Sequence, residues 1–167
     1  MRAAVLYLAV GIFIAVAYHD VRTRRIPNAL SLAMGALGLM RIVLSQDAVN
    51  GSYTLAAAGL IFAITLALFR YGAIGGGDAK LIPATVLVIG YSDLLGFLFL
   101  MSLWGGALAL ATIVFEKLVL RLRHLRSLAF SLSAMEIDPL QPPPKASTVP
   151  YGFAVAAAGV MTLIASK

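Results

Sequence analysis

The sequence predicts an all-α polytopic membrane protein of six transmembrane helices, a single membrane-embedded domain over residues 1–167 with both termini outside the cytoplasm. Three observations lead there. Hydrophobic residues make up 61% of the chain and charged residues 12%, with a mean hydropathy of +0.95, a balance foreign to soluble domains. The apolar residues are gathered into six stretches, most of them near the ~20 residues that a helix needs to cross a bilayer. The basic residues sit in alternate connectors between those stretches, the pattern that charge-directed topology produces.

The first stretch, residues 3–18, has the length of a signal peptide's apolar core. It lacks a strongly basic start and a convincing small-residue cleavage site before Arg22, so it reads as a retained helix. The second, residues 29–45, is opened by Pro27, which fits a first helical turn because the amide it lacks has no helical partner there. The third is residues 53–69. The fourth, residues 79–91, is short: at roughly 1.5 Å per residue it gives about 20 Å of helix against a ~30 Å hydrocarbon core. The run before it, Gly75-Gly76-Gly77, is therefore expected to enter the membrane profile as irregular backbone, shielded by protein or lining a wet cavity, with Asp78 at its mouth. The fifth, residues 94–115, carries Gly105-Gly106 among alanines, small enough for close helix packing. The sixth is residues 151–165.

Arg22, Arg24 and Arg25 follow the first stretch, Arg70 and Lys80 flank the third connector, and Lys117, Arg121, Arg123, Arg126 and Lys145 lie in the fifth, ten of the thirteen basic residues on one side. Arg2 and Lys167 stand at the termini, and Arg41 can snorkel from the outer end of the second helix. The positive-inside rule then places the three basic connectors in the cytoplasm. It also accounts for the net charge of +6, so no nucleic-acid partner is expected. In the largest connector, residues 116–149, Leu118, Leu122, Leu125, Ala129 and Leu132 recur at helical spacing among basic residues. The fifth helix is expected to continue there as an amphipathic helix on anionic lipid headgroups, until the proline-rich stretch 139–150 breaks it. A solvated basic connector is the other reading.

The chain has no cysteine, which removes disulfides, thiolate zinc sites and cysteine nucleophiles; no metal or cofactor is expected. Asp20 and Asp78 fall at the cytoplasmic face of membrane helices, where an ionisable residue is costly and usually functional. Two such carboxylates in one site hydrolyse peptides when one, ionised, draws a proton from water and the other, protonated, donates to the carbonyl oxygen. Glycines before Asp78 permit unusual backbone angles and close approach of a substrate strand. On charge alone a second account stands: Asp20 balances the neighbouring arginines and Asp78 pairs with Lys80 as an interfacial anchor.

The residues around the aspartates separate these accounts. His19-Asp20-Val21-Arg22-Thr23-Arg24-Arg25-Ile26-Pro27-Asn28 resembles the first aspartate motif of the type IV prepilin peptidases, and Gly75-Gly76-Gly77-Asp78-Ala79-Lys80-Leu81 resembles their GxGD motif. Pro150-Tyr151-Gly152-Phe153-Ala154 is similar to the opening of their last helix. GxGD alone is weak; three motifs in order, covering nearly the whole chain, are specific. The chain length resembles that of the short TadV/CpaA branch, which serves Flp-type pili of the tight-adherence system. The resemblance implies an aspartic endopeptidase of the bacterial inner membrane, with Asp20 and Asp78 as the catalytic pair. Its substrates would be prepilins, and pseudopilins with them, cut after a glycine at the cytoplasmic edge of their apolar helix. Gly75, Gly76, Gly77, Lys80, Pro27 and Asn28 are expected to shape the site or meet the substrate. The larger members carry a cytoplasmic segment with paired Cys-x-x-Cys motifs associated with N-methylation; the cysteine-free chain departs from them there, so cleavage without methylation is expected.

His19 reads as an interfacial histidine more readily than as a proton relay. Lys80 suits either a role beside an aspartate or a phosphate headgroup. Two other classes share some of these features: a small transporter or proton channel, which also places aspartates beside glycine breaks but predicts internal repeats not found here, and a non-catalytic pilus-assembly subunit. Among enzymes, preflagellin peptidases and presenilin-like proteases share GxGD, whereas Ile26-Pro27-Asn28 and the chain length favour the prepilin branch. The sequence does not fix an oligomeric state.

Overall fold

A computed structural model describes residues 2–23, 26–130 and 151–165. They form six helices: α1 (Arg2–Thr23), α2 (Asn28–Ser45), α3 (Ala48–Arg70), α4 (Gly76–Ile89), α5 (Leu94–Phe130) and α6 (Tyr151–Ala165). The all-α expectation holds among the described residues. Four helices are long and apolar enough to cross a membrane, over Ala4–Thr23, Asn28–Ser45, Ala48–Arg70 and Leu94–Arg121. The other two, α4 and α6, have 14 and 15 residues and are shorter than a full span. Large apolar side chains such as Leu8, Ile14, Leu32, Leu60, Phe62 and Leu110 are exposed, which in this composition marks lipid-facing surface.

Two compact units are formed, Met1–Gly105 with Pro150–Lys167, and Gly106–Val149. In the first, α4 packs against α2, α3 and α6, while α1 packs against α6 and α2. The core gathers Phe13 and Val16 of α1, Met34 of α2, Leu81, Val86 and Val88 of α4, Phe97 of α5 and Val155 of α6. Small residues set the spacing of these helices. A Cβ on Gly38 would meet the Leu87 and Val88 backbone of α4 at 2.8 and 2.9 Å, and one on Gly159 would overlap the Phe13 ring. Gly105-Gly106, expected to serve close packing, meets little among the described residues: none lies within 4 Å of a Cβ on Gly106, and a Cβ on Gly105 would touch Tyr151 at 3.5 Å. The second unit contains the rest of α5, which continues as helix to Phe130; Leu132 and the proline-rich stretch 139–150 lie outside the described residues.

The central helix α4 is short because both its ends are fixed by glycine and its middle by proline. Gly75 is its N-cap, and Gly90, at φ +100°, closes it with its amide on the Val86 carbonyl at 2.8 Å. Pro83 lies inside the helix and has no amide to give the Ala79 carbonyl, a loss that would strand a buried acceptor. The Thr65 hydroxyl of α3 supplies the replacement, donating to Ala79 O at 3.0 Å. On the other side of that bond, α3 ends in a Schellman motif: Gly72, at φ +73°, donates to Phe69 O at 3.0 Å and Ala73 to Leu68 O at 2.9 Å. This turn delivers the chain to Gly75. At the opposite end of α3, Asp47 caps the helix, accepting from the Asn50 amide at 3.0 Å.

Candidate active site

Asp20 stands in the last turn of α1, with 6% of its surface exposed. Its Oδ2 accepts a hydrogen bond of 2.9 Å from the Phe153 N–H at the start of α6. Asp78 is the third residue of α4, where the helix N-terminus favours a carboxylate. Its Oδ1 is buried with no hydrogen-bond partner among the described residues. Ile26 packs against Gly77, next to Asp78, and against Gly152, which faces the Asp20 carboxyl, so α1 and α4 bring the two carboxyl groups into one neighbourhood. Nothing in their sequence separation required this; the packing of α4 and α1 on the shared neighbours α2 and α6 does it.

Three glycines make room for the pair. A Cβ on Gly75 would lie 3.1 Å from Asp78 Oδ2; one on Gly77 would lie 3.0 Å from the Ile26 side chain; and one on Gly152 would lie 2.7 Å from Ile26 Cδ1 and 2.9 Å from the Asp20 carboxyl. Ile26 thus reaches into notches on both α4 and α6 beside the two aspartates. Gly76 faces the Phe69 ring, 3.1 Å from where its Cβ would be. The glycine run therefore works differently from the expectation. Gly76 and Gly77 begin α4 rather than forming irregular backbone, and among the described residues only Gly72 and Gly90 are glycines at positive φ. Their value here is the missing side chain, filled by Ile26 and Phe69 of the same chain.

Lys80 donates to Asn28 Oδ1 at 3.2 Å, tying α4 to the start of α2. Among the described residues it forms no ion pair with Asp78, so the interfacial-anchor account of that aspartate loses its partner. Pro27 occupies the N-cap position of α2, at φ −59°, one residue before the expected first turn, and its carbonyl accepts from the Leu30 amide at 3.0 Å. His19 stacks edge-on against Tyr18 with ring centroids 5.9 Å apart, and the Arg22 guanidinium lies over that Tyr18 ring and donates to its hydroxyl. Among the described residues no three His, Asp or Glu side chains gather as a metal site would need. Ile26 and the Phe153 amide are the neighbours that sequence reasoning missed. An amide carries no side-chain signal, although the Pro-Tyr-Gly motif pointed at its helix.

Residues 7–110, which hold both aspartates, match the type IV leader peptidase family. The chain belongs to that family. It is 29% identical over 113 residues to a prepilin leader peptidase/N-methyltransferase of Bacillus subtilis (strain 168), an alignment covering 67% of this chain and 46% of that protein. The chain thus spans less than half the length of this leader-peptidase relative. No solved structure matches. Family and apolar helices together make this an integral membrane protein, and the α6 residues that touch Asp20 lie beyond the stretch the leader peptidase family matches.

Proposed function

We propose that the protein is an aspartic endopeptidase that removes the basic leader from type IV prepilins, of the Flp type served by the TadV/CpaA branch, and from pseudopilins. Asp20 and Asp78 are the catalytic pair. The observation that carries this reading is their convergence: two carboxyl groups, one buried on an amide and the other with a buried oxygen, face the same cluster of Gly75, Gly77, Gly152 and Ile26 where the end of α1 meets the starts of α4 and α6. The ionised member takes a proton from water, whose oxygen attacks the scissile carbonyl. The protonated member gives its proton to the carbonyl oxygen, and the proton taken from water leaves with the new amine as the C–N bond breaks. Lys80 and Asn28, joined to each other, and Gly75, which faces the Asp78 carboxyl, shape the rim on which a substrate strand lies.

The protein sits in the bacterial inner membrane with six crossings, both termini outside and the dyad facing the cytoplasm, a topology supported by the clustering of basic residues in alternate connectors. Anionic headgroups meet the basic connector after α5. The cysteine-free chain cleaves without methylating. Co-expression with a candidate prepilin, in cells with no other such peptidase, tests both statements by mass spectrometry of the pilin. A leader-free, unmethylated N-terminus is expected. Uncleaved pilin across a panel of Flp-type and pseudopilin substrates would put the transporter or assembly-subunit readings ahead.

A further inference from the structure

The first turn of α6 meets Asp20 in two ways. The Phe153 N–H donates to Asp20 Oδ2 at 2.9 Å, and the bare Cα of buried Gly152 faces the same carboxyl, so that a Cβ there would stand 2.9 Å from Asp20 Cγ and Oδ2. The opening amides of a helix have no helical acceptor. Phe153 therefore serves Asp20 at no loss to α6, and the positive end of the helix strengthens the bond to a carboxylate. An oxygen that already accepts an N–H carries no proton on that side, and an aspartate held at one oxygen and hemmed in at Cγ has few orientations left.

We infer that α6 is a positioning element of the peptidase site, its Phe153 amide and Gly152 notch fixing the Asp20 carboxylate where it acts, so that three helices rather than two assemble the dyad. This rests on the aspartic-endopeptidase reading. It does not concern the Phe153 side chain, whose ring packs edge-on against Trp104 at 6.2 Å; it concerns a backbone donor and a missing Cβ.

Phe153→Pro removes the amide, and proline is tolerated in a first helical turn. Phe153→Ala, which also loses the ring but keeps the amide, is the reference. Both are purified with wild type, Gly152→Ala and Asp20→Asn, and assayed on a prepilin peptide. Phe153→Pro is expected to show kcat about tenfold to a hundredfold below that of Phe153→Ala with KM unchanged, the signature of a displaced catalytic group rather than lost substrate binding. Gly152→Ala should show the same split against wild type. Should Phe153→Pro fail to insert, Gly152→Ala decides alone. Equal kcat for Phe153→Pro and Phe153→Ala, or wild-type kcat for inserted Gly152→Ala, overturns the inference. Cleavage retained by Asp20→Asn would instead overturn the aspartic reading on which it rests, so the two failures are told apart.

Discussion

The Thr65 hydroxyl donates to the Ala79 carbonyl at 3.0 Å, the acceptor that Pro83 four residues later leaves without a helical donor. A proline in the central helix of the bundle is thus compensated from a neighbouring helix, and the compensation sits one residue from Asp78. Thr65→Val, which keeps the shape and removes the donor, should destabilise the protein by about 1–3 kcal/mol, the cost of a buried acceptor left unmade. In a Pro83→Ala background the residue-83 amide can reach Ala79, and the cost of Thr65→Val should fall toward zero. Denaturation of the four variants in micelles gives the coupling. Additive effects would show that the hydroxyl does not stand in for the proline's amide.

The Phe13 ring of α1 occupies the space where a Cβ on Gly159 of α6 would stand. Gly159→Ala should cost about 1–3 kcal/mol by overpacking against the ring. Phe13→Leu in the same chain should recover part of it, because the clash is with the ring and not with backbone. No recovery in unfolding measurements would mean that α6 tolerates the methyl group by moving.

Asp47 caps α3, and the backbone amide of Asn50, with the Asn50 side chain behind it, holds its carboxyl below the ordinary value of 3.8. A carboxyl whose folded value is depressed contributes stability that is fully present above the unfolded value and is lost as pH falls through the folded one. The difference in thermal midpoint between wild type and Asp47→Ala should therefore be constant above about pH 5 and shrink below about 3.8, near the unfolded value of a free aspartate. A difference that grows on acidification would contradict the cap.

Ten of the thirteen basic residues lie in or beside the helix ends that the proposed topology puts on one side of the membrane. Reporter fusions after Gln46, in the turn between α2 and α3, and near Ser133 should report opposite sides, the second cytoplasmic. The same side for both would undo the six-crossing topology.

Hydropathy made six helices legible because each is apolar enough to be continuous, but their ends follow interactions that composition does not show. Polar Asn50 and Ser52 hide the first turn of α3, which Asp47 caps. Asp20 follows an apolar run that ends at Tyr18, yet α1 continues to Thr23, so the carboxylate is presented from within a helical turn. Gly76 and Gly77 have poor helix propensity and read as irregular backbone, whereas contacts with Phe69 and Ile26 hold them in α4. The aspartates themselves were legible through charge placement and motif. Their surroundings were not: an amide from α6 and an isoleucine between two glycine notches become neighbours only when the chain folds.

Asp20 and Asp78 are proposed to act as one unit. The most direct measurement is the pH profile of prepilin cleavage by purified, membrane-inserted protein, set beside Asp20→Asn, Asp78→Asn, Asp47→Asn and Asp93→Asn. The wild-type profile should be a bell, since the reaction needs one carboxyl protonated and one ionised. Either substitution in the pair should abolish cleavage without affecting insertion, while the variants at Asp47 and Asp93 should cut as wild type does. Near-normal cleavage by well-inserted Asp20→Asn or Asp78→Asn protein would contradict the dyad.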